Sequence, residues 1–395
     1  MSFLTKTREK NGALPRETAA FYAVTVLFWA SLYTYQPTLS PYLVSIGVGY
    51  SMIGIIGGSY GLAQMLVRIP LGIISDRLAK RKIFIVLALL VSVVSSVILY
   101  SSENPYVILL GRSLAGVSAS GWVVFTVLFS SYFDKSKTAS RISYLSAFNN
   151  AGQVAAMLAG GVAAGYFGFR FPFAAGAGIG ALGFALSFLI KENAPENKRG
   201  VKIRELVSVI KNKNLLLMSS LSIVSQFIHF GATMTFVSVV ASNLGAGGDQ
   251  LGYLSMTGHL PRIVSSFLCG ALLARKFNVK TLFVVSYSLL IANCILIPFC
   301  AGLFQLYAVS VLSGFGNGIS MTLCISLCTL KIDENKRSAA MGFFQAFYGI
   351  GMFAGPVLTG VVADALGMDS AFFFSAAVAA AGLIASVKFV KRETE

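Results

Sequence analysis

Long apolar runs without a charged residue constrain this chain more than any other feature. Residues 83–100, 171–190, 281–299 and 371–387 contain no Asp, Glu, Lys or Arg. Each approaches the length of about 20 residues that a helix needs to cross the hydrocarbon core of a bilayer. Inside lipid the backbone must satisfy its own hydrogen bonds, so these runs are expected to be helices rather than loops or open sheet. The sequence therefore predicts an all-α membrane protein.

Twelve predominantly apolar spans, including these runs, can be placed along the 395 residues. Only 12% of the residues are charged, which is about half the fraction in a soluble domain. The connections between spans are too short to hold a soluble domain. The predicted spans are residues 19–44, 51–75, 83–101, 105–132, 142–166, 171–190, 214–243, 250–274, 281–300, 303–330, 338–363 and 370–387.

The positive charges are distributed very unevenly over the connections between these spans. Of the 31 Lys and Arg residues, 27 fall on the side that holds both termini, and only Arg170 falls on the other side. The remaining three, Arg68, Arg112 and Arg262, lie within spans. Because positive loops stay in the cytoplasm, both termini are expected to be cytoplasmic, in a multi-pass protein of the cytoplasmic membrane. The same pattern explains the net charge of +16 without a nucleic-acid partner.

The two halves of the chain resemble each other. A polar, basic connection at 191–213 separates six spans in residues 1–190 from six in residues 214–395. Several residues recur after a nearly constant shift of 198 or 199 positions. Duplicated six-helix halves are typical of transporters, whose substrate site lies between the halves near the midplane. The recurring pairs are Gly72 and Gly270, Gly116 and Gly314, Asp134 and Asp333, Gly152 and Gly351, Gly161 and Gly360, and Gly168 and Gly367.

A short basic motif between the second and third spans carries a family resemblance. It contains Gly72, Asp76, Arg77, Lys80 and Arg81 in the register G-x-x-x-D-[RK]-x-G-[RK]-[RK], with alanine in place of the second glycine. On this motif and the duplicated halves, the whole chain resembles the major facilitator superfamily, in particular its bacterial efflux carriers.

The resemblance implies a role for this motif. In the family it forms a cytoplasmic latch that holds the outward-facing state. We expect Lys80 or Arg81 to pair with Asp134 at the end of the fourth span. A carboxylate such as Asp76 at a helix C-terminus is unfavourable unless a cation compensates it.

Two further segments bear on the mechanism. Arg112 and Gly116 in the fourth span resemble the family's R-x-x-x-G segment. An arginine at this depth costs about 2.5–3.5 kcal/mol, so it is expected to neighbour a proton relay, bind an anion or clamp backbone carbonyls. The family's antiporter signature is degenerate around Gly152, and its Gly-Pro pair appears instead at Gly355 and Pro356. Such small residues also serve close helix packing.

The deep polar residues fall on the spans that line the cavity in this family. None of the 15 Asp and Glu residues lies deep in a span, so the three arginines leave the cavity positive. Histidine is the side chain whose ordinary pKa suits proton exchange, which makes His229 and His259 the candidates for proton coupling. The predicted substrate-binding residues are Arg262, His259, Arg112, Gln36, Tyr33, Asn149, His229, Asn317 and Gln345.

These observations predict a secondary transporter that works by alternating access and carries an organic anion or zwitterion, with protons as a possible coupling ion. Efflux of amphipathic drugs by proton antiport is the main alternative, and a non-transporting receptor on the same fold is a remote one. No cofactor, metal or enzymatic activity is expected, because no metal cluster, nucleophile-base pair or phosphate loop is present. The expected partners are a small solute and the lipid bilayer, and the protein is expected to be a monomer.

Overall fold

The computed structural model describes residues 15–78, 80–192, 209–330, 332–333 and 336–391. These residues form helices and connections, with no strand among them. Most of the predicted connection at 191–213 lies outside the described residues. The twelve helical rods are α1 (Pro15–Tyr33 and Leu39–Ser45), α2 (Tyr50–Leu78), α3 (Arg81–Ser101), α4 (Pro105–Ser120 and Trp122–Ser130), α5 (Lys135–Phe167), α6 (Phe171–Ser187), α7 (Lys213–Ile228, His229–Phe236 and Val237–Asn243), α8 (Gly248–Leu268, Cys269–Leu273 and Ala274–Lys276), α9 (Val279–Leu296 and Ile297–Phe299), α10 (Leu303–Leu327), α11 (Arg337–Leu366) and α12 (Met368–Phe389).

Each predicted span therefore corresponds to one rod. In the described part of the chain, α2, α3, α4, α7, α9, α10, α11 and α12 have both the length and the apolar content to cross a membrane. The other four are short, interrupted or polar: α6 has 17 residues, α1 breaks after Tyr33, and α5 and α8 carry several polar side chains. Those four complete the bundles through packing against their neighbours.

The rods pack as two copies of one arrangement. In the first half α1 packs on α5 and α6, α2 on α4, and α3 on α4 and α6. In the second half α7 packs on α11 and α12, α8 on α10, and α9 on α10 and α12. The halves meet mainly where α2 packs on α11 and α5 packs on α8. The structure is thus the twelve-helix, two-bundle fold that the sequence predicts.

Equivalent glycines make equivalent contacts in the two bundles. A Cβ atom on Gly116 would lie 2.3 Å from the carbonyl oxygen of Tyr60, and one on Gly314 would lie 2.4 Å from that of Gly258. Both pairs are related by the same shift of 198 residues. The repeat therefore preserves positions where two helix backbones touch, as small residues permit in membrane bundles.

Replacing Gly116 by alanine is expected to destabilise the first bundle by about 1–3 kcal/mol, because the added methyl group overlaps backbone that cannot rotate away. The matched control is Gly178→Ala, since a Cβ atom there would meet nothing within 4 Å. Reversible unfolding in mixed detergent micelles measures both. Equal stability of the two variants would contradict the close contact.

The molecule has two distinct ends. The connections that hold Lys80, Asp134, Lys191, Lys211 and Lys336 lie at one end, here called the basic end. The connections after α1, α3, α5, α7, α9 and α11 lie at the other, here called the opposite end. Four of these turns contain a glycine with positive φ, namely Gly47, Gly168, Gly245 and Gly367.

Candidate functional site

The two bundles are closed against each other in their opposite-end halves. On α2, a Cβ atom at Gly54 would lie 2.3 Å from the carbonyl oxygen of Pro356 on α11. On α5, a Cβ atom at Gly161 would lie 2.5 Å from the Cα atom of Gly252 on α8. The end segments of α1 and α7 also meet here. Backbones this close leave no passage for a solute along these seams.

The basic-end halves of α5 and α8 separate instead. Between them lies a cleft of about 770 Å³, which is within the usual size range of small-molecule sites. The molecule is therefore closed at the opposite end and open along this seam at the basic end. The cleft is lined by Ile142, Ser143, Ser146, Ala147, Asn150, Ala151, Val154, Ala155, Leu260, Ile263, Ser266 and Phe267.

Arg112 is the most deeply buried cation among the described residues of the first bundle. It is 3% exposed, and its Nη2 atom donates to Oε1 of Gln36 at 2.7 Å. Its Cζ atom lies 4.5 Å from the ring centroid of Tyr60, which is favourable cation–π geometry. Its Nε and Nη1 atoms are buried without a hydrogen-bond partner. The guanidinium is therefore oriented by neutral groups and keeps donors to spare.

Arg262 is a half-buried cation of the second bundle. It lies one helical turn from His259 on α8, and it acts electrostatically on Tyr33, His229 and His259. Its Nε atom is buried without a partner. Tyr33 on α1 is also within electrostatic range of Arg112, so this side chain is near both arginines. Two cations from different bundles thus share one region.

The two predicted coupling histidines are neighbours. Their ring centroids are 5.7 Å apart, and both side chains are buried. His229 starts the π-helical segment His229–Phe236 of α7, a local widening that often marks a functional position. His259 lines a cavity of about 20 Å³ together with Gln36 and Thr233. That volume suits a single water molecule.

The hydrogen bond of His259 assigns its tautomer. Its Nδ1 atom lies 3.2 Å from the carbonyl oxygen of Ser255. A carbonyl only accepts, so Nδ1 carries the hydrogen. The Nε2 atom, which is buried without a partner, is then a lone-pair acceptor when the ring is neutral. This unpaired acceptor lies near Arg262, whose guanidinium group only donates.

The remaining predicted residues are distributed more widely. Asn149 accepts from Nε2 of Gln153 at 2.5 Å on the basic-end side of α5. Asn317 is 1% exposed and donates to the carbonyl oxygen of Ser225, which places it between α10 and α7 inside the second bundle. Gln345 is half-buried on α11. The geometry thus brings together Tyr33, Gln36, Arg112, His229, His259 and Arg262, and leaves these three apart.

No described carboxylate balances the two central arginines. All described Asp and Glu residues lie at the ends of the molecule. Glu17, Asp76, Asp134, Glu192 and Asp333 are at the basic end, and Glu103, Asp249, Asp364 and Asp369 are at the opposite end. The centre therefore keeps its positive charge, as the sequence predicts.

The latch residues form a different pair from the predicted one. Nη2 of Arg81 lies 3.1 Å from Oδ1 of Asp76, so Arg81 pairs with Asp76 in this state. The pairing of Lys80 or Arg81 with Asp134 stays a prediction. Only two residues separate α2 from α3, which holds the first residue of α3 beside the C-terminus of α2. The backbone N–H of Arg81 also donates to Glu192. The remaining latch residues lie nearby, with Gly72 inside α2 and with Arg77 and Lys80 exposed. These bonds of Asp76 and Arg81 stay within the first half of the chain.

Sequence reasoning missed two aromatic residues that hold arginines. Tyr60 covers Arg112, and the Tyr348 hydroxyl accepts from Nη1 of Arg68 at 2.8 Å. The second contact joins α2 to α11. The chain has 15 tyrosines, so residue type alone does not identify these two.

Comparison with known proteins gives one consistent result. The family model described as the Major Facilitator Superfamily matches residues 21–238 and 219–395. An uncharacterized MFS-type transporter, MJ1560 of Methanocaldococcus jannaschii, is 25% identical over 354 residues, which cover 86% of this chain and 89% of that protein. Multidrug resistance protein MdtG of Salmonella paratyphi C is 23% identical over 370 residues, covering 90% and 91%. The crystal structure of the nucleoside transporter NupG superposes with a TM-score of 0.79 at 14% identity, covering 95% of this chain and all of that one.

Proposed function

The chain belongs to the Major Facilitator Superfamily and is a multi-pass membrane transporter, and we propose that it carries an organic anion or zwitterion by alternating access. The duplicated bundles supply the two halves of such a carrier. The opposite end is closed and the α5–α8 seam is open at the basic end, as one of the two alternating states requires. With the basic end cytoplasmic, this is the inward-facing state.

The pair of uncompensated arginines supports the substrate class. Burying an ionised group without a partner is unfavourable, and the usual remedy is a counter-charge with hydrogen bonds. Arg112 and Arg262 lack a carboxylate partner among the described residues and retain unpaired donors. A carboxylate or phosphate on the substrate supplies both the charge and the acceptors. Tyr33 is near both cations, and its ring could contact the body of the solute.

Proton coupling is the second part of the proposal. His259 offers the unpaired acceptor of this region, with His229 beside it. A proton on Nε2 would convert the ring into a further donor for a bound anion. Because proton and anion would then favour each other's binding, the two would move in the same direction.

Replacing His259 by glutamine is expected to remove proton coupling while leaving passive exchange. The amide keeps a polar group at this site but cannot titrate. In proteoliposomes with a pH gradient of about one unit, the normal protein should accumulate its solute about tenfold for one coupled proton. The variant should only equilibrate it. A pH-sensitive dye inside the vesicles reports proton movement, and unchanged proton flux in the variant would contradict the assignment.

Efflux of amphipathic drugs by proton antiport is the alternative function. It is supported by the similarity to a protein named for multidrug resistance and by the aromatic side chains near the site, such as Trp29 and Trp122, whose rings are 5.6 Å apart. Drug efflux differs from anion transport in the charge of the preferred solute, because Arg112 and Arg262 would repel a cationic drug. A receptor that does not transport would not require polar walls from both bundles.

A thermal-shift screen tests the proposed substrate class. Purified protein is heated with panels of organic anions, zwitterions and cationic drugs, and a bound solute raises the unfolding temperature by mass action. We expect shifts with members of the first two panels and their loss in Arg262→Ala. Shifts that are confined to cationic drugs and persist in the variant would favour drug efflux instead.

A further inference from the structure

Helix α2 begins with a hydrogen-bond arrangement that its own sequence does not supply. The first backbone N–H groups of a helix have no partner inside the helix. Here the N–H groups of Tyr50 and Ser51 donate to the two carboxylate oxygens of Asp364, at 2.9 and 2.7 Å. Asp364 lies near the end of α11, 314 residues away in sequence and in the other bundle. One bundle thus caps a helix of the other.

The pseudo-equivalent helix α8 is capped differently. The turns before α2 and α8 match in backbone, since Gly47 and Gly245 both have φ values of 80° or slightly above. Before α8, however, the side chain of Gln250 accepts from the N–H of Gly247 at 2.8 Å, so this helix caps itself. At the position on α5 that corresponds to Asp364, the repeat places Gly165.

The two seams between the bundles therefore differ in their hydrogen bonds. Both contain glycines that bring backbones together, Gly54 and Gly360 between α2 and α11, and Gly161 and Gly252 between α5 and α8. Only the first seam ends in a charged cap across the bundles. In the described opposite-end halves of α5 and α8, no hydrogen bond joins the two helices.

We propose that Asp364 is a gating residue, whose carboxylate holds the opposite end closed by capping α2 from α11 and is released each time that end opens. A negative charge at a helix N-terminus is stabilised by the helix dipole as well as by the N–H groups. Opening the opposite end separates α2 from α11 and exposes the N–H groups of Tyr50 and Ser51 to water. The α5–α8 seam lacks this bond, so opening begins there and the capped seam releases last.

This proposal rests on the alternating access proposed above, but its test needs no substrate. Hydrogen–deuterium exchange is measured on the full-length protein in lipid nanodiscs, for the normal chain and for Asp364→Ala. Exchange in residues 46–54 should rise about 2- to 30-fold, the range that the loss of one N-cap produces. If Asp364 is a gate, exchange at the basic-end cleft, in residues 142–151 and 260–267, should fall at the same time because that end closes.

The matched control is Asp249→Ala, which removes an acidic side chain from the first turn of α8 without breaking a bond between the bundles. Loss of its charge can raise exchange locally at the start of α8, but exchange in residues 46–54 and at the basic-end cleft should stay normal. Asp364→Asn keeps one acceptor oxygen and should give an intermediate rise, which provides a second variant if the alanine variant folds poorly. A rise confined to residues 46–54, with no fall at the cleft, would show a local cap without a gating role and overturn the proposal. No rise at residues 46–54 would overturn it as well.

Discussion

Replacing Arg262 by alanine is expected to abolish transport of the anionic solute while the protein still folds and reaches the membrane. Removing one partner of a buried, hydrogen-bonded charge pair costs about 2–5 kcal/mol of binding free energy, which is at least about thirtyfold in affinity. Folding should not suffer, because no described carboxylate pairs with Arg262 and none is left unpaired by its removal. Uptake of labelled solute into proteoliposomes, normalised to the amount of inserted protein, measures the effect.

Two variants make the result interpretable. Arg262→Lys keeps the charge but loses the forked donor geometry, so it should retain part of the transport. Arg170→Ala removes an exposed arginine that bonds Glu103 at 3.2 Å at the opposite end, and it should transport normally. If Arg262→Ala carries the anion at the normal rate, the cationic site is wrong. If Arg170→Ala loses transport to the same extent, the loss of transport reflects overall charge or folding rather than the cationic site.

Replacing Gly161 by leucine is expected to hold the opposite end open and to stop transport. Even a Cβ atom here would lie 2.5 Å from the Cα atom of Gly252 and 2.7 Å from the carbonyl oxygen of Gly248. These are backbone atoms of the other bundle, so the side chain cannot be accommodated while the seam is closed. Each bundle has contacts of its own, and the variant should therefore fold with the two bundles parted at this end.

Gly165→Ala is the matched control, one helical turn along the same seam. A Cβ atom there would be 3.4 Å from its nearest neighbour, which is ordinary contact distance. This variant should transport at a nearly normal rate. Transport assays and deuterium exchange in residues 248–254 distinguish the two variants. Normal transport by Gly161→Leu would show that closure of this seam is not part of the cycle.

The sequence predicted the helices and the repeat well, for physical reasons. Crossing a bilayer demands long apolar helices, so hydropathy locates most of the rods, whereas α1, α5, α6 and α8 are too short, interrupted or polar to stand out as clearly. The shift of 198 between Gly116 and Gly314 marks backbone contacts that tolerate no side chain. Interruptions within a helix were harder to predict from the sequence. The break after Tyr33 lies within a predicted continuous span, next to Pro37, which lacks an N–H group to continue the helix.

The details of the site depend on contacts that sequence distance conceals. The grouping of Arg112, Arg262 and the histidines follows from their depth in lining helices, which hydropathy can estimate. The ion pair between Arg81 and Asp76, in contrast, depends on the direction in which α3 leaves the two-residue connection after α2. The cap of Asp364 on α2 joins positions 314 residues apart, and a carboxylate near a helix end looks like an ordinary surface residue in the sequence.

The central claim is that a positive site between two bundles binds an anion and opens to each side in turn. Electron–electron distance measurements in nanodiscs test it most directly, with spin labels on cysteines introduced at Tyr106 and Phe304 for the opposite end and at Lys137 and Lys276 for the basic end, after the five native cysteines are replaced. Adding an organic anion that binds should shorten the basic-end distance and lengthen the opposite-end distance, and Arg262→Ala should show neither change. Distances that do not change when the anion is added, or that change equally in Arg262→Ala, would contradict the account.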